Sequence, residues 1–483
     1  MKFDKYRKNI LGINSSCDTP YGKMRIIYAD WIASGRLYLP IEKQMLEEFG
    51  PLVANTHSET SYTGKIMTKA YHMAHEIIKK HVNANENDVV LTTGTGMTGA
   101  LAKLQRILGL RIPEQFKKQL KINENDKPVV FITHMEHHSN QTPWLETIAE
   151  VVMIPPADDL TVSLENVEKI VSKYANRTIK IGSFSACSNV TGVRTPYYKM
   201  AKIMHKYGGI CFIDLAASAP YDHINMHPKD PDEALDAIFF SPHKFLGGPG
   251  SSGVLIFNKA LYMNDVPDQP GGGTVKWTNP WGQHSYFDEI EQREDGGTPG
   301  FLQAIRTALC VKLKEEMEVE NIEKREKELL KIAFKELRTI PGLYILAGNV
   351  EERLGVISFY VDNIHYNLIV AILNDKFGIQ VRGGCSCAGT YGHLLLNVDQ
   401  EKSNSITKKI DKGDLIEKPG WVRVSLHPTM TNEELYFILG AIKQVVEDIN
   451  ILDTYYVYNK KTGEFYHRLN QEQDISEWFN IKN

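Results

Sequence analysis

Short apolar runs rich in β-branched residues alternate with longer amphipathic runs through the first half of the chain. This alternation limits the architecture more than any other feature. The strand candidates are "DVVLTT" (88–93), "PVVFIT" (128–133), "EVVMIP" (150–155), "IKIGSF" (179–184), "ICFID" (210–214), "AIFF" (237–240) and "GVLIF" (253–257). Helical periodicity lies between several of them, at 64–82, 97–109, 162–175 and 195–207. Such an order predicts an α/β fold with a mostly parallel, seven-stranded sheet covered on both faces. Ligands of these sheets bind at the loops beyond the carboxyl ends of the strands.

The second half reads differently. A Gly/Pro-rich segment, 264–300, precedes a stretch at 301–338 rich in Glu, Lys, Leu and Ala, which reads as one long helix or two stacked ones. Its charges are expected on a solvated face. Strands at 355–361 and 421–426, with helices near 365–377 and 431–448, then predict a smaller α+β unit of two or three strands. Residues 451–483 read as a polar, aromatic tail docked on the rest.

Bulk properties exclude some functions. The net charge of −4 argues against nucleic acid or an anionic membrane as the main partner. The N-terminal stretch carries charges without an apolar run, and no apolar run approaches a membrane span. Six cysteines in 483 residues do not make a disulfide scaffold, so a reducing cytoplasm is expected. Cys385 and Cys387 offer two thiols with no obvious second ligand pair, so no metal site is expected.

The chemistry centres on "AIFFSPHKFLGGPGSSGVLIF" (237–257), in which Lys244 lies between two apolar strands beside Ser241, His243 and glycines. A lysine in a partly desolvated site loses its proton readily and becomes a nucleophile for carbonyls. A Schiff-base lysine for pyridoxal phosphate fits that description. Such a cofactor needs a carboxylate at its pyridine nitrogen, and Asp214 ends an apolar strand 30 residues earlier, one crossover away. Its phosphate needs N–H groups at a helix start, which Gly94, Thr95 and Gly96 precede in "TTGTGMTGALAKLQRI". Ser241, His243 and Thr298 can add donors, His137 can lie flat against the ring, and Asn189 can reach its phenolic oxygen. Arg423, amid the apolar residues of "WVRVSL", is either a fork for a substrate carboxylate or a strand-edge surface arginine.

The ordered set "IYADWIASG", "TGTGMTGA", "MEHHSNQTPW", "SNVTGV", "IDLAAS", "SPHKFLGGPGSSGVL", "DGGTPG", "VRGGCSCAG" and "VRVSLHPTMTNEEL" resembles fold-type I enzymes of the class V aminotransferase group. Within that group it is most similar to the SufS-like cysteine desulfurases and selenocysteine lyases. The resemblance implies an N-terminal segment (1–40) packed with the small domain, a large cofactor domain (41–300), a small domain carrying a catalytic cysteine loop (301–450) and a tail (451–483). It implies that Lys244 bonds the cofactor, Asp214 pairs with the pyridinium and His137 stacks on the ring. Thr95, Ser241 and His243 would hold the phosphate, and Thr298 would reach that of a partner subunit in a homodimer. Asn189 and Arg423 would bind the substrate. Cys387, five residues after Arg382, stands where these enzymes place the thiol that takes sulfur from cysteine. A sulfur-acceptor protein would be a further partner.

The chain departs from the pattern at three places. Ala217 stands where many relatives carry Gln. Cys385 and Ser386 replace two histidines before Cys387, which leaves His393 as a candidate proton donor. A polar insertion, 394–420, separates Cys387 from Arg423. The alternative left open is a class V aminotransferase, lyase or epimerase on another amino acid, with no cysteine nucleophile.

Overall fold

In the computed structural model, which describes residues 2–56, 59–470 and 473–481, the seven expected strands form one sheet. They are β1 (Asp88–Thr93), β2 (Val129–Thr133), β3 (Glu150–Ile154), β4 (Lys180–Ser185), β5 (Ile210–Asp214), β6 (Ala237–Phe240) and β7 (Gly253–Asn258). Across the sheet the order is β1-β7-β6-β5-β4-β2-β3. β7 alone runs against its neighbours, β1 and β6.

Successive side chains of a strand leave on opposite faces, and over the central strands both faces are dry. Ile213, Ile238 and Phe240 join one core, whereas Phe212, Ala237 and Phe239 join the other. That is why the strands read as continuous apolar runs rather than alternating ones. Truncating Phe212 or Phe239 to alanine is expected to cost about 3–5 kcal/mol through the cavity left behind.

The smaller sheet has four strands, one or two more than the sequence suggests. Their order is Leu343–Ile345, Val356–Val361, Trp421–Ser425 and Arg382–Gly384, all antiparallel. The two outer strands have three residues each: Leu-Tyr-Ile is too short to stand out as a strand, and Arg-Gly-Gly has no apolar pattern. Helices Val319–Leu337, Tyr366–Phe377 and Asn432–Glu447 pack against this sheet.

The 301–338 stretch is two helices, Phe301–Met317 and Val319–Leu337, broken at Glu318 with φ +61°. The expectation of a purely solvated charged face is corrected at two positions. Lys314 is buried and donates to the carbonyls of Ala219, at 2.7 Å, and Asp222. Glu326 is buried and accepts from Gly355 N–H at 3.0 Å. Both side chains tie these helices to neighbouring chain, and burial disfavours their charged forms, lowering the Lys314 pKa to about 7 and raising that of Glu326 to about 8.

The N-terminal segment runs from the small sheet to the large one. Ile27–Tyr28 pairs in parallel with Ile379–Gln380, Asp30 bridges to Ser425, and Gly35 N–H donates to His243 O at 2.9 Å. The insertion contains a helix, Gln400–Ile410, and the tail contains a hairpin, Tyr456–Asn459 with Glu464–His467. Among the described residues, no helix is long and apolar enough to cross a membrane.

Candidate active site

Parallel strands β5 and β6 deliver Asp214 and Lys244 to the same end of the sheet. Asp214 is the last residue of β5, opposite Phe239 of β6. The chain then leaves β6 through a tight turn, Pro242–Lys244, before β7 begins. Beyond these ends lies a cavity of about 230 Å³ lined by Lys244, Asp214, His137, Asn189, Cys387 and Arg423, among others.

The Lys244 turn is held by close backbone contact. A Cβ at Gly35 would lie 1.9 Å from Phe245 O, so only glycine lets the N-terminal segment reach this turn. Burial disfavours the ammonium form and lowers the Lys244 pKa to about 8, with the Asp214 charge opposing the shift. Burial likewise raises the Asp214 pKa to about 7. One Asp214 oxygen accepts from Ala216 N–H at 2.8 Å. A pyridinium N–H facing this carboxylate would favour its charged form.

His137 caps the helix His138–Leu145, its Nδ1 accepting from Ser139 N–H at 3.0 Å. Burial first, then the Lys244 charge, lowers its pKa to about 3, so the ring that lines the cavity is neutral. Behind it, buried Glu136 accepts from Asn140, Ser185 and Thr133, a support the sequence did not disclose.

One end of the cavity suits an anion. Helix Gly96–Ile107 begins there, and Thr95 makes no side-chain cap, which leaves N–H groups for a ligand. Gly96 has φ +62°, and a Cβ on it would lie 2.7 Å from Ser241 Oγ. Ser241 Oγ accepts from Met97 N–H at 2.8 Å, so its own proton can point at an anion. Thr95, Thr98 and His243 complete this end.

The other end suits a carboxylate. Arg423 is buried and donates from Nη2 to Asp30 Oδ1 at 2.7 Å and from Nη1 to Asn189 O at 3.2 Å. Its Nε has no partner, nor does Asn189 Oδ1, and both are buried. The unpaired Arg423 Nε is a buried donor that a ligand carboxylate can complete, whereas the Asn189 oxygen can only accept. Arg382 Nε donates to the other Asp30 oxygen at 3.0 Å.

The cysteine turn closes this end. Ala388 N–H donates to Cys385 O at 3.0 Å, and Ser386 and Cys387 between them have φ +49° and +57°. Two consecutive left-handed non-glycine residues cost roughly 1–2 kcal/mol each, so the surroundings must impose the shape. Asn189 Nδ2 donates to Ser386 O at 2.7 Å, and His138 N–H donates to Cys387 O at 2.8 Å. Cys387 is exposed. Cys187 also lines the cavity, but burial pushes its thiol far above the ordinary range, so it is inert.

Four sequence candidates do not line this cavity. Gly94 and Thr298 line a neighbouring one, and Gly96 lines neither, its place being beneath Ser241. His393 is bonded to Gly389 O and Ser403 Oγ and does not line the site. Asp30 stands within the quoted "IYADWIASG", but its ion pairs span the chain and gave no local signal.

The observed residues fit pyridoxal phosphate: a helix start with free donors, an amine, a buried carboxylate, and orphaned donor and acceptor atoms at the far end. A model of the aminotransferase class-V family matches residues 27–437. Among curated proteins, a probable cysteine desulfurase of Halalkalibacterium halodurans is 28% identical over 367 residues, covering 75% of this chain and 84% of its own. One of Staphylococcus epidermidis is 29% identical over 369 residues, covering 75% and 83%. Among solved structures, the apo cysteine desulfurase of Thermococcus onnurineus has a TM-score of 0.73 at 24% identity, covering 92% of this chain and 98% of its own. The Escherichia coli cysteine desulfurase CsdA has a TM-score of 0.70 at 19% identity, covering 92% and 98%. These two likenesses show the fold.

Proposed function

The chain belongs to the aminotransferase class-V family, a family of pyridoxal-phosphate enzymes, and from that premise we propose that it is a cysteine desulfurase. It would remove sulfur from L-cysteine, release L-alanine and leave a persulfide on Cys387. The observation that carries this reading is Cys387 itself, an exposed thiol held in a strained turn on the wall of the cavity that contains Lys244 and Asp214. The curated relatives named probable cysteine desulfurase support it.

When bound, the cofactor supplies an electron sink for the charge left at the substrate Cα after its proton departs. Lys244 Nζ would hold the cofactor and then move the Cα proton, a task suited to an amine with a pKa near 8. Asp214 would keep the proton on the pyridine nitrogen, and His137 would cover the ring. Thr95, Gly96, Ser241 and His243 would hold the phosphate. Arg423 would bind the substrate carboxylate, steered by Asp30, and Asn189 would donate its second amide proton to bound ligand. The Cys387 thiolate would attack the substrate sulfur, forming an S–S bond while the C–S electron pair goes to Cβ, which takes up a proton to become the methyl group of alanine.

Thr298 does not line its own chain's cavity, which supports assigning it to the site of a second copy in a homodimer. The exposure of Cys387 supports onward transfer to a sulfur-acceptor protein. A reducing, cytoplasmic setting suits an unprotected nucleophilic thiol. One experiment tests the assignment: a single turnover with cysteine, followed by peptide mass spectrometry. The expected result is one added sulfur on Cys387. A modified Cys385, or no modification with alanine still formed, would overturn it.

A further inference from the structure

Within the cysteine turn one hydrogen bond, Ala388 N–H to Cys385 O at 3.0 Å, opposes the strain of its backbone. Ser386 and Cys387 both adopt backbone angles that L residues disfavour, and neither is glycine or asparagine. The helix His138–Leu145 makes contacts that can impose this shape. The His138 backbone N–H donates to Cys387 O at 2.8 Å. The His138 ring accepts at Nε2 from Gly389 N–H at 3.0 Å. One helical turn later, Gln141 pairs through its side-chain amide with Thr390 Oγ1 at 2.9 Å. Gly389 opens the helix Gly389–Leu395, whose first N–H groups lack partners within the helix. The imidazole therefore caps that helix from outside.

We propose that His138 is a positioning residue, a latch that fixes the Cys387 turn to the helix headed by His137. The bond requires a lone pair on Nε2, so the neutral ring carries its proton on Nδ1. Burial, and then the charge of Lys418 on the insertion, disfavour the imidazolium and keep that lone pair available. His137 and His138 are adjacent, so one helix end faces the cofactor cavity with the first ring and grips the thiol turn with the second. The latch sets how far the thiol stands from the bound substrate. Its catalytic consequence rests on the desulfurase reading; its structural content does not.

The test uses holoenzyme and three proteins: wild type, His138→Ala and His138→Gln. Glutamine places an acceptor oxygen at a reach similar to Nε2, and alanine does not. Hydrogen–deuterium exchange across 386–390 and the rate of Cys387 alkylation by iodoacetamide, both without cysteine, read the latch directly. Both should rise several-fold in His138→Ala and return towards wild type in His138→Gln. In turnover with cysteine, kcat should fall by about tenfold or more in the alanine variant with KM little changed, since small misplacements of a reacting group are costly. Unchanged exchange and alkylation in His138→Ala, or a glutamine variant that behaves like alanine, would overturn the proposal. An enzyme that releases no alanine from cysteine would overturn the desulfurase reading, while exchange and alkylation would still decide the latch.

Discussion

Asp30 and Arg423 form an ion pair at 2.7 Å, although 393 residues separate them in the chain. The second Asp30 oxygen takes Arg382 at 3.0 Å, so one carboxylate aims two guanidinium groups at the cavity wall. Removing it leaves Arg423 both less restrained and less compensated. Asp30→Ala is expected to raise KM for the amino acid roughly ten- to hundredfold, the loss of one charged hydrogen bond. Steady-state kinetics with cysteine checks this, and an unchanged KM would remove Asp30 from the binding apparatus.

The lowered Lys244 pKa predicts a pH dependence. Burial disfavours its charged form, so the free amine accumulates as pH rises through about 8 rather than through the ordinary lysine range. Capture of pyridoxal phosphate by cofactor-free protein should therefore accelerate up to about pH 8 and then level off. Stopped-flow absorbance measures it. A rate still climbing steeply above pH 9.5, about a unit and a half beyond that pKa, would contradict it.

Thiol reactivity should divide sharply. Cys187, Cys211 and Cys310 are buried, and burial raises all three thiols well above the usual range. Cys387 should label with iodoacetamide at least about 100-fold faster than these three in native protein, because thiolate and access are both needed. Peptide mass spectrometry over time reads the ratio.

Gly35→Ala should disrupt the Lys244 turn. Its Cβ would meet Phe245 O at 1.9 Å, and that atom is backbone with little room to move. A loss of about 1–3 kcal/mol in stability is expected, as for other overpacked sites. Denaturant melts measure it, and cofactor absorbance should show weakened retention.

Much of the fold was legible because it rests on two dry sheet faces. Residues such as Phe239 and Phe240 have no solvated side, and their runs announce themselves. The strand Arg382–Gly384 was not legible, because two of its three residues have no side chain. Lys314 and Glu326 were misread because each follows an amphipathic helical pattern, and only tertiary contacts bury them. At the site, Lys244, Asp214 and Cys387 could be named from motifs, but the turn that presents Cys387 could not. Its left-handed angles fall on serine and cysteine, and its partners, Asn189 and His138, lie about 200 and 250 residues away.

The most direct measurement of the central claim is alanine release from cysteine by wild type and Cys387→Ala side by side, each loaded with pyridoxal phosphate. Wild type should release alanine repeatedly in the presence of a reductant that clears the persulfide. The variant should still show the absorbance change of amino-acid binding but lose alanine release by about 100-fold or more. Equal alanine release by both proteins would contradict the account.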